Sequence, residues 1–184
     1  SLIHLSGLQA LDAVDVIELF VSDSYTPGNG AVYPDGEFGD HLQVIAQIVK
    51  NDLGLQVATL DLGGWDTHAG QGGVFGSLVD ELSRGLNALY TDLDGSGDQN
   101  FTQRLTIVVQ SEFGRRLFEN ADRGTDHGHA GPMIVLSGNA IPGVHGSWPG
   151  IGPGQLFDNA DVEVTTDFRR VLSEILIRRM GNNR

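Results

Sequence analysis

Three short β-favouring runs alternate along the chain with longer segments of helical period, and this alternation constrains the fold more than any other feature. The runs are 56–62, 105–109 and 132–136. The helical segments are 8–20, 40–50, 74–93 and 168–176, the last with Thr165 or Thr166 as its expected N-cap. Strands that alternate with helices in this way predict an α/β fold, here a three-layer sandwich with a largely parallel central sheet.

The composition excludes several classes of protein. The chain has 184 residues without an internal repeat or a linker, so we expect one domain over 1–184. Because it has no cysteine, a thiolate nucleophile, a cysteine-ligated zinc finger and an iron–sulfur cluster are excluded. The net charge of −13 repels phosphate backbones, so we expect no nucleic-acid partner. No apolar run approaches the roughly 18 to 20 residues of a membrane span. The oligomeric state stays open.

Acidic and imidazole side chains follow or precede each of the three runs. They are Asp66 and His68, then Glu112, then Asp126, His127 and His129. In an open parallel sheet a site lies beyond the carboxyl ends of the strands, so we expect these groups to meet at one rim. Mixed carboxylate and imidazole donors suit a divalent ion such as zinc or manganese, with calcium as a further candidate. Arg115 can hold an anionic group with its guanidinium fork.

Each of these clusters also has a purely structural interpretation. Asp66 is compatible with a helix cap or an Asx-turn, and Glu112 with a solvated residue after a strand. A metal-free arrangement, in which the carboxylates pair with Arg115, Arg116 and Arg123, is the blander hypothesis. The coincidence of three clusters at three strand ends favours the metal site.

Three motifs resemble one bacterial family. They are Gly64-Trp-Asp-Thr-His68 followed by Gln71, Val109-Gln-Ser-Glu-Phe-Gly-Arg115, and Gly124-Thr-Asp-His127 ahead of an apolar strand that ends at Gly138. Together with the loop from Tyr33 to Gly39, they resemble the family of unknown function DUF1501, whose members are placed in the alkaline phosphatase and sulfatase superfamily. The resemblance covers roughly 33–138 and supports the alkaline phosphatase/sulfatase-like sandwich.

The resemblance implies a two-metal site and assigns residues to it. Asp66 and His68 look like ligands of the first metal, and His127 resembles the later histidine that precedes a proline-containing strand. Glu112 stands where the catalytic relatives have a strand-end Asp that binds the second ion. Asp126 is implied as a ligand or as the carboxylate that orients His127.

Several departures from the catalytic relatives are visible. Asp66 and His68 are two positions apart rather than four, Phe113 stands in place of a histidine, and no nucleophile-bearing strand is recognisable. We therefore expect the chain to be the carboxyl-terminal part of a longer protein, incomplete at its amino terminus. The resemblance also implies twin-arginine export and a periplasmic or extracellular location.

Two functions follow as expectations. The first is a metal-dependent hydrolase of phosphate or sulfate esters, or the carboxyl-terminal part of one, with the activity belonging to the full-length protein. It would act on a small anionic ester substrate, with Arg115 neutralising charge that develops on the ester. The second is an exported metal-stabilised binding or structural domain without catalysis.

Overall fold

Helices and short strands make up the ordered elements of the protein. The computed structural model describes residues 25–181, and the helix predicted for 8–20 lies outside them. In chain order the elements are α1 (Glu37–Lys50), α2 (Gln71–Leu93), a 3-10 turn (Gly97–Gln99), β1 (Ile107–Val109), β2 (Gly114–Arg115), β3 (His127–Gly128), β4 (Ile134–Leu136) and α3 (Phe168–Met180). The helices predicted over 40–50, 74–93 and 168–176 are confirmed.

The predicted three-layer sandwich with a largely parallel central sheet is wrong. Within the described part of the chain the strands form two antiparallel pairs, β1 with β4 and β2 with β3. Two of the predicted runs do contain strands, but they pair with each other, with Ile107 opposite Leu136 and Val109 opposite Ile134. The third run, 56–62, contains no strand, and its Val57 is 63% exposed. A β-favouring sequence becomes a strand only when its backbone finds a partner, and partner choice is non-local.

The chain divides into two compact units, each described by itself. The first comprises 25–63 and Val79–Thr102 within the described residues. Its core consists of apolar side chains from α1 and α2, namely Phe38, Leu42, Ala46, Ala88, Leu89 and Leu93. Gly85 permits a close approach of the two helices, because a Cβ there would overlap the ring of Phe38 and the side chain of Leu42. The single domain predicted for 1–184 stays a prediction.

Asp92 is the polar centre of this first unit. Its carboxylate accepts hydrogen bonds from the hydroxyls of Tyr25 at 2.6 Å and Tyr33 at 2.7 Å, from the backbone N–H of Gly28 at 2.5 Å and from Lys50 Nζ. Burial acts to raise the pKa of Asp92, but the hydrogen bonds, led by that from Lys50, outweigh it and the pKa is lowered. Burial of their own side chains, followed by the hydrogen bond and the charge of Asp92, raises the pKa values of Tyr25 and Tyr33.

The second unit comprises Gly64–Leu78 and, within the described residues, 103–181. It contains both strand pairs and α3. The cap of α3 is Asp167 rather than Thr165 or Thr166, because the Asp167 carboxylate accepts the backbone N–H of Arg169 at 2.9 Å. The guanidinium of Arg179 donates to Thr106 Oγ1 at 2.7 Å, beside β1.

Helix length and hydropathy bear on the membrane expectation. Among residues 25–181 no helix is both long enough and apolar enough to cross a lipid bilayer.

Candidate metal centre

Three side chains of the second unit converge at one point. Asp66, His68 and His127 each offer a ligand atom, and these atoms lie within 4.8 Å of one another. Asp66 Oδ1 is 2.7 Å from His127 Nε2 and 3.1 Å from His68 Nε2. The side chains are 64%, 47% and 45% exposed for Asp66, His68 and His127, so the point at which they meet is open to solvent.

The Asp66–His68 segment is anchored by the residue between the two side chains. Thr67 is buried, and its carbonyl accepts the backbone N–H of Thr125 at 3.4 Å. Ala69 then bridges to Arg123 in an antiparallel contact. The segment is therefore fixed against the loop that leads to His127, while its two ligand side chains face outward.

The β2–β3 pair places His127. Its register sets Arg115 directly opposite His127, and side chains opposite each other on an antiparallel pair share a face. The ring of Phe113 stacks on the imidazole of His127, with centroids 3.9 Å apart and planes inclined by 8°. Phe113, which replaces the histidine expected from the resemblance, therefore packs against a candidate ligand.

Arg115 is committed largely to the main chain. Its guanidinium donates to the carbonyl of Trp65 at 2.5 Å and to that of Thr125, and its Nη2 lies 3.7 Å from Asp66 Oδ1. The side chain is 22% exposed. Arg115 thus ties together the two segments that carry the ligands and places a positive charge beside them.

Asp126 contacts His68, whereas the resemblance implies that it is a metal ligand or a partner of His127. Its Oδ1 lies 3.1 Å from His68 Nδ1, and the carboxamide of Asn120 donates to the same oxygen at 3.0 Å. A carboxylate at the second ring nitrogen of a histidine fixes which nitrogen faces a metal. Asp126 is therefore placed to orient His68, and not His127.

The carboxylates of Asp66 and Asp126 are both held in their charged form. The hydrogen bond with His127 lowers the pKa of Asp66, assisted by the charges of His68, His127 and Arg115. The pKa of Asp126 is lowered by its hydrogen bond from Asn120 and then by that with His68. Ionised carboxylates are the form that binds cations.

Three of the candidates lie outside the convergent group, namely Glu112, His129 and Asp126, the last of which contacts His68 Nδ1. Glu112 is exposed in the connection between β1 and β2, where Ser111 Oγ lies 3.5 Å from its Oε2. His129 instead contacts Asp161, with 2.7 Å between Nδ1 and Oδ2, and Arg116 Nε lies 3.7 Å from the other oxygen of that buried carboxylate. The predicted convergence of all the strand ends at one rim presumed a parallel sheet, which the described residues do not form.

The donor set fits a transition-metal ion. In tetrahedral zinc sites bonds of about 2.0 to 2.1 Å put ligand atoms about 3.3 Å apart. Asp66 Oδ1 lies 2.7 Å from His127 Nε2 and 3.1 Å from His68 Nε2, and all three ligand atoms lie within 4.8 Å of one another, so small side-chain movements would bring them to that spacing. Two imidazole nitrogens and one carboxylate suit zinc or manganese better than calcium, which prefers oxygen ligands throughout. Three protein ligands leave a further coordination position free for water or substrate.

The sequence reasoning did not single out Asn120. The only signal for it is a turn-like composition, Asn120-Ala-Asp-Arg-Gly124, in which a side-chain amide can bond backbone groups two and four residues on. The Asp92 network was also missed, because its members are 42 to 67 residues apart in sequence.

Comparison with known proteins identifies the family. The family model described as "Protein of unknown function (DUF1501)" matches residues 29–183. The chain belongs to the DUF1501 family. No curated protein and no solved structure matches this DUF1501 chain. The family match includes all three convergent residues of the candidate metal centre.

Proposed function

We propose that this DUF1501 protein binds a divalent metal ion through Asp66, His68 and His127, and that the site serves the hydrolysis of phosphate or sulfate esters. The observation that carries the proposal is the convergence of one carboxylate oxygen and two imidazole nitrogens at a solvent-open point. The ester chemistry rests on the resemblance to the alkaline phosphatase and sulfatase superfamily, and membership of that superfamily is part of the proposal. Zinc is the first candidate ion, followed by manganese.

The chemistry of such a site divides between the ion and the chain. A bound divalent ion supplies Lewis acidity toward an ester oxygen and lowers the pKa of a bound water toward about 7. Asp66, His68 and His127 hold the ion, and Asp126 orients His68. Arg115 places positive charge beside the open position, where an anionic ester would lie.

One observation favours a second function. The guanidinium of Arg115 donates to two main-chain carbonyls, those of Trp65 and Thr125, so part of its donor capacity serves the structure rather than a substrate. An exported metal-stabilised binding or structural domain would use these two Arg115 hydrogen bonds and the same three metal ligands for stability, and it would catalyse no reaction. Metal binding is common to both functions, and hydrolysis separates them.

The two functions are distinguished by assaying hydrolysis after metal loading. The chain is loaded with zinc or manganese and tested on p-nitrophenyl phosphate and p-nitrophenyl sulfate, beside His127→Ala and a matched control, His145→Ala. His145 is a suitable control because its Nε2 contacts only the Ile141 carbonyl, at 2.9 Å, among described groups.

The hydrolase proposal predicts metal-dependent turnover in the wild type and in His145→Ala, and loss of it in His127→Ala. Metal binding by the wild type without turnover of either ester would contradict the hydrolase and leave the metal-stabilised domain. Turnover that survives in His127→Ala would show that the site lies elsewhere.

A further inference from the structure

We propose that Asn120 is a positioning residue of the metal centre, which holds His68 with its Nε2 toward the ion by fixing both Asp126 and the main chain of His68. The inference rests on the metal site proposed above. It assigns a role to a residue that neither contacts the ion nor carries charge.

The side chain of Asn120 uses both ends of its carboxamide. Its Nδ2 donates to the carbonyl of His68 at 2.9 Å and to Asp126 Oδ1 at 3.0 Å. Its Oδ1 accepts the backbone N–H groups of Asp122 and Gly124, each at 3.0 Å. One half of the amide therefore closes its own loop, and the other half binds the two groups that determine where His68 sits.

The loop around Asn120 is built tightly enough to make that position definite. The backbone N–H of Asn120 donates to the Gly124 carbonyl at 2.9 Å, and that of Arg123 donates to the Asn120 carbonyl at 3.2 Å. Arg123 adopts the left-handed conformation with φ 60°. Gly124 lies against the Thr67 and His68 carbonyls so closely that a Cβ would overlap both. The Asn120 carboxamide thus has little freedom to leave His68.

These contacts select the ring nitrogen that faces the metal. Asp126 Oδ1, held by Asn120, lies 3.1 Å from His68 Nδ1 and can accept its proton. Nε2, which lies 3.1 Å from Asp66 Oδ1, is then the ring nitrogen left to bind the ion beside Asp66 and the third ligand, His127. The Asp126 side chain is 53% exposed, so without the Asn120 contact it is free to turn into solvent and His68 loses its orientation.

The variant Asn120→Asp separates the two roles of the carboxamide. Its carboxylate still accepts the N–H groups of Asp122 and Gly124, so the loop is retained, but the donor to His68 and Asp126 is gone. The added negative charge attracts a cation but also repels the Asp126 carboxylate, so Asp126→Ala, which adds no charge, is measured beside it. Asn139→Asp is the matched control, since Asn139 Nδ2 also donates to a main-chain carbonyl, that of Gln103 at 2.6 Å.

The experiment measures Co²⁺ and Zn²⁺ affinity by titration, together with the thermal midpoint of the metal-free protein. We expect Asn120→Asp to bind about tenfold to a hundredfold more weakly than the wild type, as for other contacts behind a ligand. The metal affinity of Asn139→Asp should be unchanged, and the thermal midpoint of metal-free Asn120→Asp shows whether that variant is folded. In the Zn²⁺-loaded wild type a downfield proton signal of the hydrogen-bonded His68 Nδ1–H is expected, and it should disappear in Asn120→Asp.

A double-variant cycle tests whether Asn120 acts through Asp126. Asp126→Ala should weaken binding as Asn120→Asp does, and the double variant should lose less than the sum of the two losses. If Asn120→Asp fails to fold, Asp126→Ala carries the affinity and proton-signal test alone, because its side chain is exposed.

The outcomes separate the inference from the function on which it rests. A wild-type chain that binds none of the ions refutes the metal site and the positioning role with it. A wild type that binds while Asn120→Asp binds equally tightly refutes the positioning role alone. Additive losses in the double variant would also overturn it.

Discussion

Removing the Asp92 carboxylate should destabilise the first unit strongly. Asp92→Ala takes away the acceptor for two tyrosine hydroxyls, one backbone N–H and Lys50 Nζ, and the Asp92 side chain is fully buried. Removing one partner of a buried ion pair costs about 3 to 5 kcal/mol. Lys50 is 25% exposed and regains water, so we expect the lower end of that range, about 3 kcal/mol.

The neighbouring Tyr33 makes the prediction sharper, because the effect of its hydroxyl should change sign. Tyr33 is buried and its hydroxyl donates to Asp92 Oδ2 at 2.7 Å. Tyr33→Phe in the wild type loses a hydrogen bond to an ionised carboxylate and should cost about 2 kcal/mol. In the Asp92→Ala background the same change removes an orphaned buried hydroxyl and should stabilise by about 1 kcal/mol. The coupling between the two sites is then about 3 kcal/mol.

The assay is urea unfolding of the four proteins of this cycle at neutral pH, followed by circular dichroism. Tyr25→Phe is the matched comparison, because Tyr25 donates to the same oxygen at 2.6 Å but is less buried, and its coupling should be smaller. If Tyr33→Phe destabilises Asp92→Ala as much as it destabilises the wild type, the hydroxyl does not depend on Asp92 and the reasoning is refuted.

Three further predictions concern the second unit. Gly124→Ala should weaken metal binding, because a Cβ would push the loop away from His68. Gly131→Ala should not weaken it, because a Cβ there meets only ordinary van der Waals contacts. Isothermal titration of both variants with Zn²⁺ checks this. Glu112→Gln should leave the Zn²⁺ affinity unchanged, and a loss in the same titration would place Glu112 in the first site after all. The Arg169 contacts lower the pKa of Asp167 from 3.8 to about 2, so the stabilisation of α3 by this cap is present above pH 3.8 and lost as pH falls through 2. The helicity difference between wild type and Asp167→Ala, followed by circular dichroism, should close over that window; a difference that persists below it would contradict the cap.

The helices were predictable because their hydrogen bonds are local. The apolar period of 74–93 corresponds to a face that α2 buries in its second half, at Leu89 and Leu93, whereas Val74 and Val79 in its first half are 45% and 42% exposed. The observed helix boundaries differ from the predicted ones by a few residues. The cap of α3 is Asp167 rather than a threonine, because several successive polar residues can each cap a helix.

The sheet was not predictable in the same way, because strand pairing is decided by distant partners. The continuous apolar run 105–109 predicted a strand and β1 lies within it, but the run could not reveal that its partner is antiparallel β4. Periodicity alone does not separate a strand of a parallel sheet from one arm of a two-stranded pair.

Three residues of the candidate site were predicted to lie together, but the structure brings them together by a different arrangement of strands. Asp66, His68 and His127 were expected to meet at the rim of a parallel sheet, and they lie together through the β2–β3 pair and the contact between Ala69 and Arg123. Their residue types reveal the chemistry, while their spacing along the chain does not reveal the geometry. Asn120 could not be predicted from the sequence, because a neutral amide gains its role only from the groups that the fold places beside it.

The central claim is that Asp66, His68 and His127 bind a divalent metal ion, and the metal content per chain tests it most directly. The protein is purified without chelator or affinity-tag metal and exposed to each ion, and the bound metal is measured by inductively coupled plasma mass spectrometry. The account predicts about one equivalent of bound zinc or manganese in the wild type, as three converging protein ligands imply, and loss of it in His68→Ala and in His127→Ala. A wild type that retains no ion, or variants that retain as much as the wild type, would contradict it.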